Sequence, residues 1–523
     1  MAARIGPGRR LIVLGGGLSG LSYTHYLRNF SAYYNKADRI SKITLLEAND
    51  YMGGSIKTQV HDDGLVHELG PRTIRYFGLK GNNTGALLEQ LGLADKVVSV
   101  KKTSEAGRNR LIYRNGKMYK APGSILDLFK KLPGDDTRLY KAILKDRRTP
   151  KMDLTQYEYE DPPLYDFVSY RAGTAVSESL VDPLLRGIVA GDVRKLSTRS
   201  FFEEYLEAEQ RYGSLWSAMR NPPVIKHRHD ELFPNEILGS KLLDEFKKEK
   251  VTSYTIQGGL QTIPEYLSNS LLNTNEDGVI SIYNKTRVIS IKFNTEDPEK
   301  APCSVVVRTV DGDMIEIDGD HIVATIGSKD LAEILPTPTT EEQRSAYHYI
   351  QEIDHSPVAC VGLEFRNLDR LPSFTNSFGF LTHSKSGSKI LGISFDTMFN
   401  PEIDKPTKSF RMTCMLGGSW FHDVFGTSDP TKVKVAQMEQ IALAEVAKIM
   451  GITEDPYRTC PYMWKNGIAQ YKPGHKKRLQ DTREAIKKLN LPLTLLGQSY
   501  DGVSVNDVIF SARMAADELV AEL

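Results

Sequence analysis

Short apolar runs, separated by polar and glycine-rich stretches, mark the first elements of this chain. Four apolar residues at 11–14 predict a buried strand, and apolar positions recur over 21–30 with the spacing of a helix. A second apolar run at 42–47 predicts another buried strand, which ends on the carboxylate of Glu47. Strand, helix and strand in this order favour an α/β fold with a parallel sheet.

The remaining pattern predicts a mixture of strands and helices and one polar insertion. Two turns with Asn-Gly or Asp-Gly, flanked by alternating residues, indicate β-hairpins. A second strand–glycine–helix unit closes the chain, far from the first one. These predictions are, in chain order, a hairpin at Asn115 and Gly116, helices over 161–216, a polar and partly disordered insertion over 217–250, a strand over 286–291, a hairpin at Asp311 and Gly312, a mixed region over 328–480, and a final strand, turn and helix from Leu493.

Composition and charge remove several classes of protein. A chain of 523 residues with a formal net charge of +1 has room for two or three domains and lacks the basic excess of a general nucleic-acid binder. Its four cysteines lie far apart without a C-x-x-C pair, so we expect free thiols rather than a disulfide framework or a zinc site. His227 and His229 have no third ligand in view, and we predict no bound metal.

The sequence has no apolar run approaching the ~18 residues of a membrane span. Its basic leader, residues 1–10, is too short and too rich in Gly and Pro for a signal or transit peptide, so we expect any membrane association to be peripheral. Between 130 and 151, eight basic residues and three acids follow the apolar stretch 125–129. This segment predicts either docking on anionic lipid or a solvated loop.

The main chemical signal is the glycine turn between the first strand and the first helix. Gly15 permits a tight turn, Gly17 lets backbone N–H groups approach a pyrophosphate, and Gly20 allows the helix to pack on the strand. The helix N-terminus favours negative charge there. The turn alone is compatible with NAD, NADP or FAD. We expect the dinucleotide to contact Gly15, Gly16, Gly17, Leu18, Ser19 and Gly20.

Glu47 and the glycines after it narrow the choice of cofactor. A carboxylate at the end of the second strand can bind both hydroxyls of an unphosphorylated ribose, and the alternative is an acid on a solvated strand end. Gly53 and Gly54 form a loop that can pass close to the dinucleotide. An ordinary nicotinamide dehydrogenase does not need this glycine pair, so the pattern favours FAD.

These motifs together resemble the flavin amine oxidase superfamily and, within it, the protoporphyrinogen oxidases of eukaryotic, mitochondrial type. The glycine turn, the spacing from Glu47 to Gly53 and the run at 68–72 carry the resemblance at the N-terminus. Ala469 replaces a proline of the family, and Ser55 stands where some relatives have an aromatic residue. Further matching runs lie at 186–200, 258–264, 377–381, 465–475 and 493–507.

The resemblance implies an α/β fold with a discontinuous Rossmann-like FAD-binding domain, a mixed-sheet substrate domain and a mainly helical, membrane-associating domain. The implied boundaries are 9–80, 252–330 and 488–523 for the FAD-binding domain, 81–124 and 331–487 for the substrate-binding domain, and 125–251 for the helical domain.

The resemblance also implies which residues hold the cofactor and the substrate. One FAD would bind without a covalent bond, because the C-terminal segment lacks the cysteine that tethers flavin in covalent amine oxidases. Beyond the first turn, FAD would contact Glu47, Ala48, Ser55, Gly70, Pro71, Arg72, Thr73, Val288, Gln498, Val503, Ser504 and Val505. Substrate would contact Arg72, Gly187, Phe378 and Leu381, with Arg72 pairing one carboxylate. Purely structural roles are the alternatives for Arg72, Phe378 and Leu381.

The activity implied is FAD-dependent oxidation of protoporphyrinogen IX to protoporphyrin IX in haem biosynthesis, in three two-electron steps with O₂ as acceptor and hydrogen peroxide as product. No side chain is expected to be catalytic, because flavin N5 accepts the hydride. Coproporphyrinogen III oxidation, amine oxidation and a flavin scaffold that only binds porphyrin are alternatives. The expected location is the surface of the mitochondrial inner membrane, and a homodimer and a ferrochelatase partner are compatible with the sequence.

Overall fold

In a computed structural model of the protein, the described residues are 8–123, 125–220, 239–294, 300–366, 368, 370–399 and 409–523. Their strands are, in chain order, β1 (Arg9–Leu14), β2 (Ile40–Leu46), β3 (Thr58–Val60), β4 (Val66–Glu68), β5 (Ile74–Arg75), β6 (Val97–Lys101), β7 (Leu111–Arg114), β8 (Lys117–Lys120), β9 (Val251–Ile256), β10 (Ile280–Tyr283), β11 (Arg287–Phe293), β12 (Cys303–Arg308), β13 (Met314–Gly319), β14 (His321–Ala324), β15 (Asp354–Arg366), β16 (Gly379–Thr382), β17 (Ile390–Ser394), β18 (Ser409–Gly417), β19 (Arg458–Gln470) and β20 (Leu493–Leu495).

Their α-helices are, in chain order, α1 (Leu18–Tyr33), α2 (Gly78–Gln90), α3 (Glu105–Arg108), α4 (Leu139–Arg148), α5 (Leu164–Ala172), α6 (Thr174–Val176), α7 (Asp182–Val189), α8 (Thr198–Phe201), α9 (Glu203–Tyr212), α10 (Leu215–Arg220), α11 (Lys241–Glu249), α12 (Thr262–Asn273), α13 (Ser328–Ile334), α14 (Glu341–Glu352), α15 (Asp396–Phe399), α16 (Phe421–Phe425), α17 (Val435–Met450), α18 (His475–Lys488) and α19 (Val505–Glu522).

A five-stranded sheet in the order β10-β2-β1-β14-β20 holds both glycine turns. Every neighbouring pair is parallel; Val13, for example, lies opposite Leu45 of β2 and Val323 of β14. Because parallel strands end at the same edge, the turns that follow β1, β2 and β20 come together although they are distant in sequence. The predicted α/β fold is confirmed.

Helices α1, α12 and α19 pack on one face of this sheet, and α2 and α11 belong to the same core. The prediction of a polar insertion is therefore wrong for 241–249. Leu242, Leu243 and Phe246 are buried there because their spacing places them on one side of an otherwise charged helix. Residues 221–238, which include His227 and His229, lie outside the described part of the chain.

A seven-stranded mixed sheet in the order β19-β15-β18-β17-β16-β7-β8 forms a second layer, as predicted. Its pairs are antiparallel except for β16 with β7. Alternate residues of β15 point to opposite faces. Val361 and Leu363 join the core under α17, whereas Val358 and Cys360 pack on the other face with Ala190, just after α7.

The predicted helical region contains α4 to α10, which share a separate apolar core. Arg171 is fully buried at its centre, where it pairs with Asp146 at 2.8 Å and with Glu209 at 3.2 Å. No helix among the residues that the structure describes combines the length and the apolar character needed to cross a membrane.

Both predicted hairpins are confirmed. Asn115 and Gly116 have φ angles of +51° and +74° between β7 and β8, which is the conformation that a two-residue hairpin turn requires. Gly312 has a φ of +90° between β12 and β13. The predicted strand at 286–291 is found as β11.

Candidate cofactor and substrate site

The first glycine turn joins β1 to α1 through close backbone contacts. Gly15 has a φ of +106°, which residues with a side chain rarely adopt. A Cβ on Gly20 would lie 2.2 Å from the carbonyl oxygen of Gly15, so α1 can approach the turn only with glycine there. A Cβ on Gly17 would lie 3.7 Å from the Cα of Gly54. The loop of paired glycines therefore passes directly beside the turn.

Helix α1 begins without a capping side chain. Gly17 is its N-cap residue, and its first turn contains no acidic residue. The unbonded N–H groups and the positive end of the helix dipole are therefore left for an anion such as a pyrophosphate. Helix α19 differs, because Ser504 and Asp507 form a capping box at its start. Of these two helix starts, the first fits the phosphates.

Glu47 is buried, with 5% of its surface exposed. Its Oε2 accepts the N–H of Gly16 at 2.8 Å, and its Oε1 accepts the backbone and side-chain amides of Asn49, each at 2.7 Å. The alternative of an acid on a solvated strand end is therefore wrong. The N–H of Thr286 donates to the Glu47 carbonyl at 2.8 Å, so the strand that carries Val288 starts beside the predicted ribose site.

The second glycine turn, after β20, lies against the first. A Cβ on Gly497 would lie 3.3 Å from Oγ of Ser19. Gln498 Nε2 donates to Ser55 Oγ at 3.3 Å, and a Cβ on Gly70 would lie 2.1 Å from the Ser55 carbonyl oxygen. Ser55 is therefore the point where three predicted cofactor segments meet, although its own contact with FAD stays a prediction.

The other predicted cofactor contacts are half-buried or exposed, and one hydrogen bond joins two of their segments. The side-chain amide of Asn506 donates to the carbonyl of Arg75 at 2.8 Å, which holds the start of α19 against the segment that contains Thr73. Among these other predicted contacts, the half-buried residues are Ala48, Pro71, Thr73, Val503 and Val505, and Ser504 is exposed. Two glycine turns, an uncapped helix and a buried carboxylate along one sheet edge fit a dinucleotide that is held at both of its ends.

Tyr471 is absent from the predicted cofactor contacts, yet it braces the second turn. Its hydroxyl donates to the Gln498 carbonyl at 2.5 Å and accepts the Gly502 N–H at 2.9 Å. Its ring stacks on His475 with centroids 4.0 Å apart, and His475 Nε2 donates to the Tyr500 carbonyl at 2.9 Å. Burial lowers the pKa of His475 to about 4, so this ring is neutral near pH 7.

We expect Tyr471→Phe to weaken FAD binding by roughly 10- to 30-fold, because two hydrogen bonds that shape the turn are lost, each contributing about 0.5–1.5 kcal/mol. Titration of the apoprotein with FAD, followed by flavin fluorescence, measures the dissociation constant. Tyr113→Phe is the matched control, since the Tyr113 ring is buried in the core of the seven-stranded sheet. Equal FAD affinity in both variants would contradict the bracing role.

The guanidinium of Arg72 lies between the cofactor turns and the seven-stranded sheet. Its Nη1 is 3.6 Å from Met415 Sδ, and its Nε is 4.0 Å from Asp396 Oδ1. Nε and Nη2 are buried and have no hydrogen-bond partner among the described residues. Burial lowers the pKa of Arg72, but Cys360, Asp396 and Glu68 together hold it above its usual value, so the group stays charged. Unused donors on a buried charge are costly unless a ligand supplies acceptors.

Gly187 and Leu381, two of the predicted substrate contacts, lie against each other. A Cβ on Gly187 would be 2.2 Å from Leu381 Cδ2. Phe378 lies in a different apolar cluster. Its ring stacks on Phe399 with centroids 4.9 Å apart and packs against the cluster that contains Val100. The fold therefore brings Gly187 and Leu381 together and sets Phe378 in another cluster, and the substrate roles of all three stay predictions.

The residues around Arg72 carry no signal in the sequence. Cys360 and Met415 lie opposite each other on β15 and β18, and Asp396 begins α15. All three are far from Arg72 along the chain, and only the pairing of the sheet strands brings them near it. For Tyr471, the only signal is its place in the matching run at 465–475.

Comparisons with known proteins agree with this geometry. The family model described as flavin containing amine oxidoreductase matches residues 18–520. A protoporphyrinogen oxidase of Bos taurus is 32% identical over 514 residues, which cover 97% of this chain and 98% of that protein. A coproporphyrinogen III oxidase of Bacillus subtilis (strain 168) is 25% identical over 518 residues, which cover 98% of each protein.

A solved structure supports the fold as well. A candidate protoporphyrinogen oxidase from Exiguobacterium sp. 255-15 superposes with a TM-score of 0.72 at 21% identity, over 98% of this chain and 99% of that one. The family match begins at Leu18, the first residue of α1, and covers the second glycine turn and the whole mixed sheet. The chain belongs to the flavin-containing amine oxidoreductase family and is an FAD-dependent oxidoreductase.

Proposed function

We propose that this enzyme oxidises protoporphyrinogen IX to protoporphyrin IX, in three two-electron steps that end with the reduction of O₂ to hydrogen peroxide. The 32% identity with the protoporphyrinogen oxidase of Bos taurus supports the substrate class. Bound FAD supplies the hydride acceptor. The residues of the chain then have to bind a large apolar macrocycle, hold its carboxylates and keep a methylene bridge facing the flavin.

The guanidinium of Arg72 carries this proposal, because its Nε and Nη2 have no hydrogen-bond partner among the described residues and the Asp396 carboxylate, at 4.0 Å, is beyond hydrogen-bond distance. Both of these nitrogen atoms are buried, and the segment at 70–72 links the cofactor junction to the mixed sheet. A propionate supplies two oxygen atoms that match the guanidinium fork. Binding of substrate would therefore satisfy donors that the protein leaves unused.

An apolar surface lies next to this charge. Met415, which contacts Arg72, also packs with Val358, Cys360 and Leu391 on the face of the sheet that meets Ala190. One guanidinium beside an apolar patch suits a ring that is apolar at its centre and carboxylated at its edge. A protonated amine would instead meet a like charge, which disfavours an amine oxidase of the ordinary kind.

Turnover of purified, FAD-saturated enzyme tests the function. Anaerobic addition of protoporphyrinogen IX should bleach the flavin absorbance, and aerobic addition should produce porphyrin fluorescence and three molecules of peroxide per porphyrin. Polyamines should leave the flavin oxidised. A flavin that protoporphyrinogen does not bleach would contradict the proposal and favour a scaffold that only binds porphyrin.

Coproporphyrinogen III is the second candidate substrate, because the Bacillus subtilis relative is named for it. It carries four propionates, whereas protoporphyrinogen IX carries two and a more apolar edge. We expect a higher kcat/KM with protoporphyrinogen, since Arg72 supplies one guanidinium beside the cofactor junction whose Nε and Nη2 lack hydrogen-bond partners among the described residues. Parallel assays of the two substrates decide between them.

We propose a peripheral position on the mitochondrial inner membrane, which apolar side chains on the helical region support. Phe129 is 65% exposed and Ile188 is 50% exposed, and the region around Phe129 is basic. Phe129→Ser/Ile188→Ser should lower co-sedimentation with cardiolipin-containing vesicles severalfold. Val310→Ser removes an exposed apolar residue on another surface and should have no effect. Equal loss in both variants would contradict this docking surface.

We also propose that the chain forms a homodimer and that it passes its product directly to a ferrochelatase. Light scattering of the purified protein measures its oligomeric state. Porphyrin transfer in the presence of a porphyrin-binding trap measures whether product passes directly to the ferrochelatase, because direct transfer is insensitive to the trap.

A further inference from the structure

Three side chains with metal-binding atoms meet where the hairpin of β3 and β4 rests on the seven-stranded sheet. His61 and His67 come from this hairpin, and Cys460 comes from β19. One ligand atom of each residue lies within 4.8 Å of those of the other two, and His61 Nε2 is 2.9 Å from His67 Nδ1. We propose that His61, His67 and Cys460 form a zinc-binding site.

A glycine in the sheet leaves space for the imidazole of His67 beside the thiol of Cys460. Gly362 of β15 lies directly opposite Cys460 of β19. A Cβ on Gly362 would lie 2.5 Å from Cδ2 of His67 and 3.3 Å from Cβ of Cys460. The missing side chain at Gly362 therefore provides the space that His67 occupies.

The cluster combines a buried ligand with two accessible ones. His67 is 1% exposed, and its Nε2 is buried without a hydrogen-bond partner among the described residues. His61 and Cys460 are half-buried, so an ion can reach the cluster from solvent. Two imidazoles and a thiol that converge in a partly accessible place offer a cation three ligand atoms.

The surrounding charges are compatible with a cation. The carboxylates of Asp62, Asp63 and Glu364 face His61, together with the guanidinium of Arg458. Arg458 is paired with Asp63 at 2.7 Å. Arg411, Arg458 and Arg72 lie within electrostatic range of His67. Asp62 and Asp63 are exposed, whereas Glu364 is buried and pairs with Arg366 at 2.8 Å. The two exposed carboxylates therefore offset part of the positive charge around the cluster.

Two imidazoles and one thiolate form a donor set that suits zinc, with water in the fourth position. Binding forms one zinc–sulfur bond and two zinc–nitrogen bonds and releases the thiol proton to solvent, without any change of oxidation state. The ion would fasten the hairpin to β19. The sequence does not indicate this site, because Cys460 is far from both histidines along the chain. None of the three ligands is a residue to which we assign a substrate or FAD contact.

Calorimetric titration of the FAD-loaded full chain with Zn²⁺ tests the proposal. We expect one ion per chain, and X-ray absorption at the zinc edge should show one sulfur at about 2.3 Å and two nitrogens at about 2.0–2.1 Å. Cys460→Ser and His61→Gln should each weaken binding at least 100-fold. Gly362→Ala, which changes no ligand, should weaken it about tenfold by displacing the His67 ring.

Two controls separate this site from other histidines. His227→Gln/His229→Gln and His348→Gln should bind zinc like the wild type, and all variants should retain their FAD content and far-ultraviolet circular dichroism. Binding that persists in Cys460→Ser, or that disappears in His227→Gln/His229→Gln, would overturn the proposal. A zinc spectrum with no sulfur ligand would overturn it too, and so would no binding by the wild-type chain at micromolar zinc.

Discussion

Replacement of Arg72 by alanine is expected to raise the KM for protoporphyrinogen IX by about 10- to 100-fold while leaving the FAD content nearly unchanged. Two buried nitrogens of the guanidinium have no acceptor among the residues that the structure describes. A hydrogen bond to a charged group contributes about 1.5–3 kcal/mol, and each 1.4 kcal/mol is a factor of about ten in affinity. Steady-state porphyrin fluorescence, measured with FAD-saturated enzyme, gives KM and kcat separately.

Two further variants sharpen the result. Arg72→Lys keeps the charge but loses the planar fork, so its KM should fall between those of the wild type and Arg72→Ala. Arg75→Ala removes an exposed arginine three positions away and should leave the KM unchanged. An Arg72→Ala enzyme with wild-type kinetics would show that Arg72 has only a structural role.

Leucine at position 187 is expected to lower kcat/KM for protoporphyrinogen by about 100-fold or more. A Cβ at this position already falls 2.2 Å from Leu381 Cδ2, and the three further carbons of leucine would extend into the space that we assign to the macrocycle. The nucleotide contacts lie elsewhere, so FAD content should be preserved. Kinetics and flavin absorbance of the same preparation measure both quantities.

The contact with Leu381 provides a matched rescue. Gly187→Ala should reduce kcat/KM moderately, because the added methyl group displaces the end of the Leu381 side chain. Gly187→Ala/Leu381→Ala should recover most of this loss, since the second change removes the atoms that the methyl meets. Normal turnover by Gly187→Leu would exclude a position for the macrocycle next to Gly187.

Local patterns predicted the elements that depend on neighbouring residues. The apolar run at 11–14 became the end of β1, the positive φ of Gly15 follows from the turn it forms, and the Asn115–Gly116 pair closes a hairpin. In each case the backbone conformation is decided by residues a few positions apart. The strand that ends on Glu47 could also be predicted, because its run of apolar residues indicated an interior strand.

Residues 241–249 show where this reasoning failed. The high charge of this segment indicated a solvated insertion, but three apolar side chains on one side suffice to anchor α11 in the core. The residues around Arg72 and the hydrogen bonds of Tyr471 could not be predicted from the sequence, for a different reason. They join residues from separate strands and turns, and a one-residue change of strand register would place different side chains there.

By itself, the sequence determined which elements could hold a dinucleotide: a glycine turn between a strand and a helix, a carboxylate at the end of the second strand, and a second glycine turn before a helix. These features depend on backbone freedom and on residue type, which are local properties. The tertiary structure decided that Gly497 lies against Ser19, that Arg72 keeps unused buried donors, and that His61, His67 and Cys460 converge. Such contacts depend on the pairing of distant strands, which no short pattern encodes.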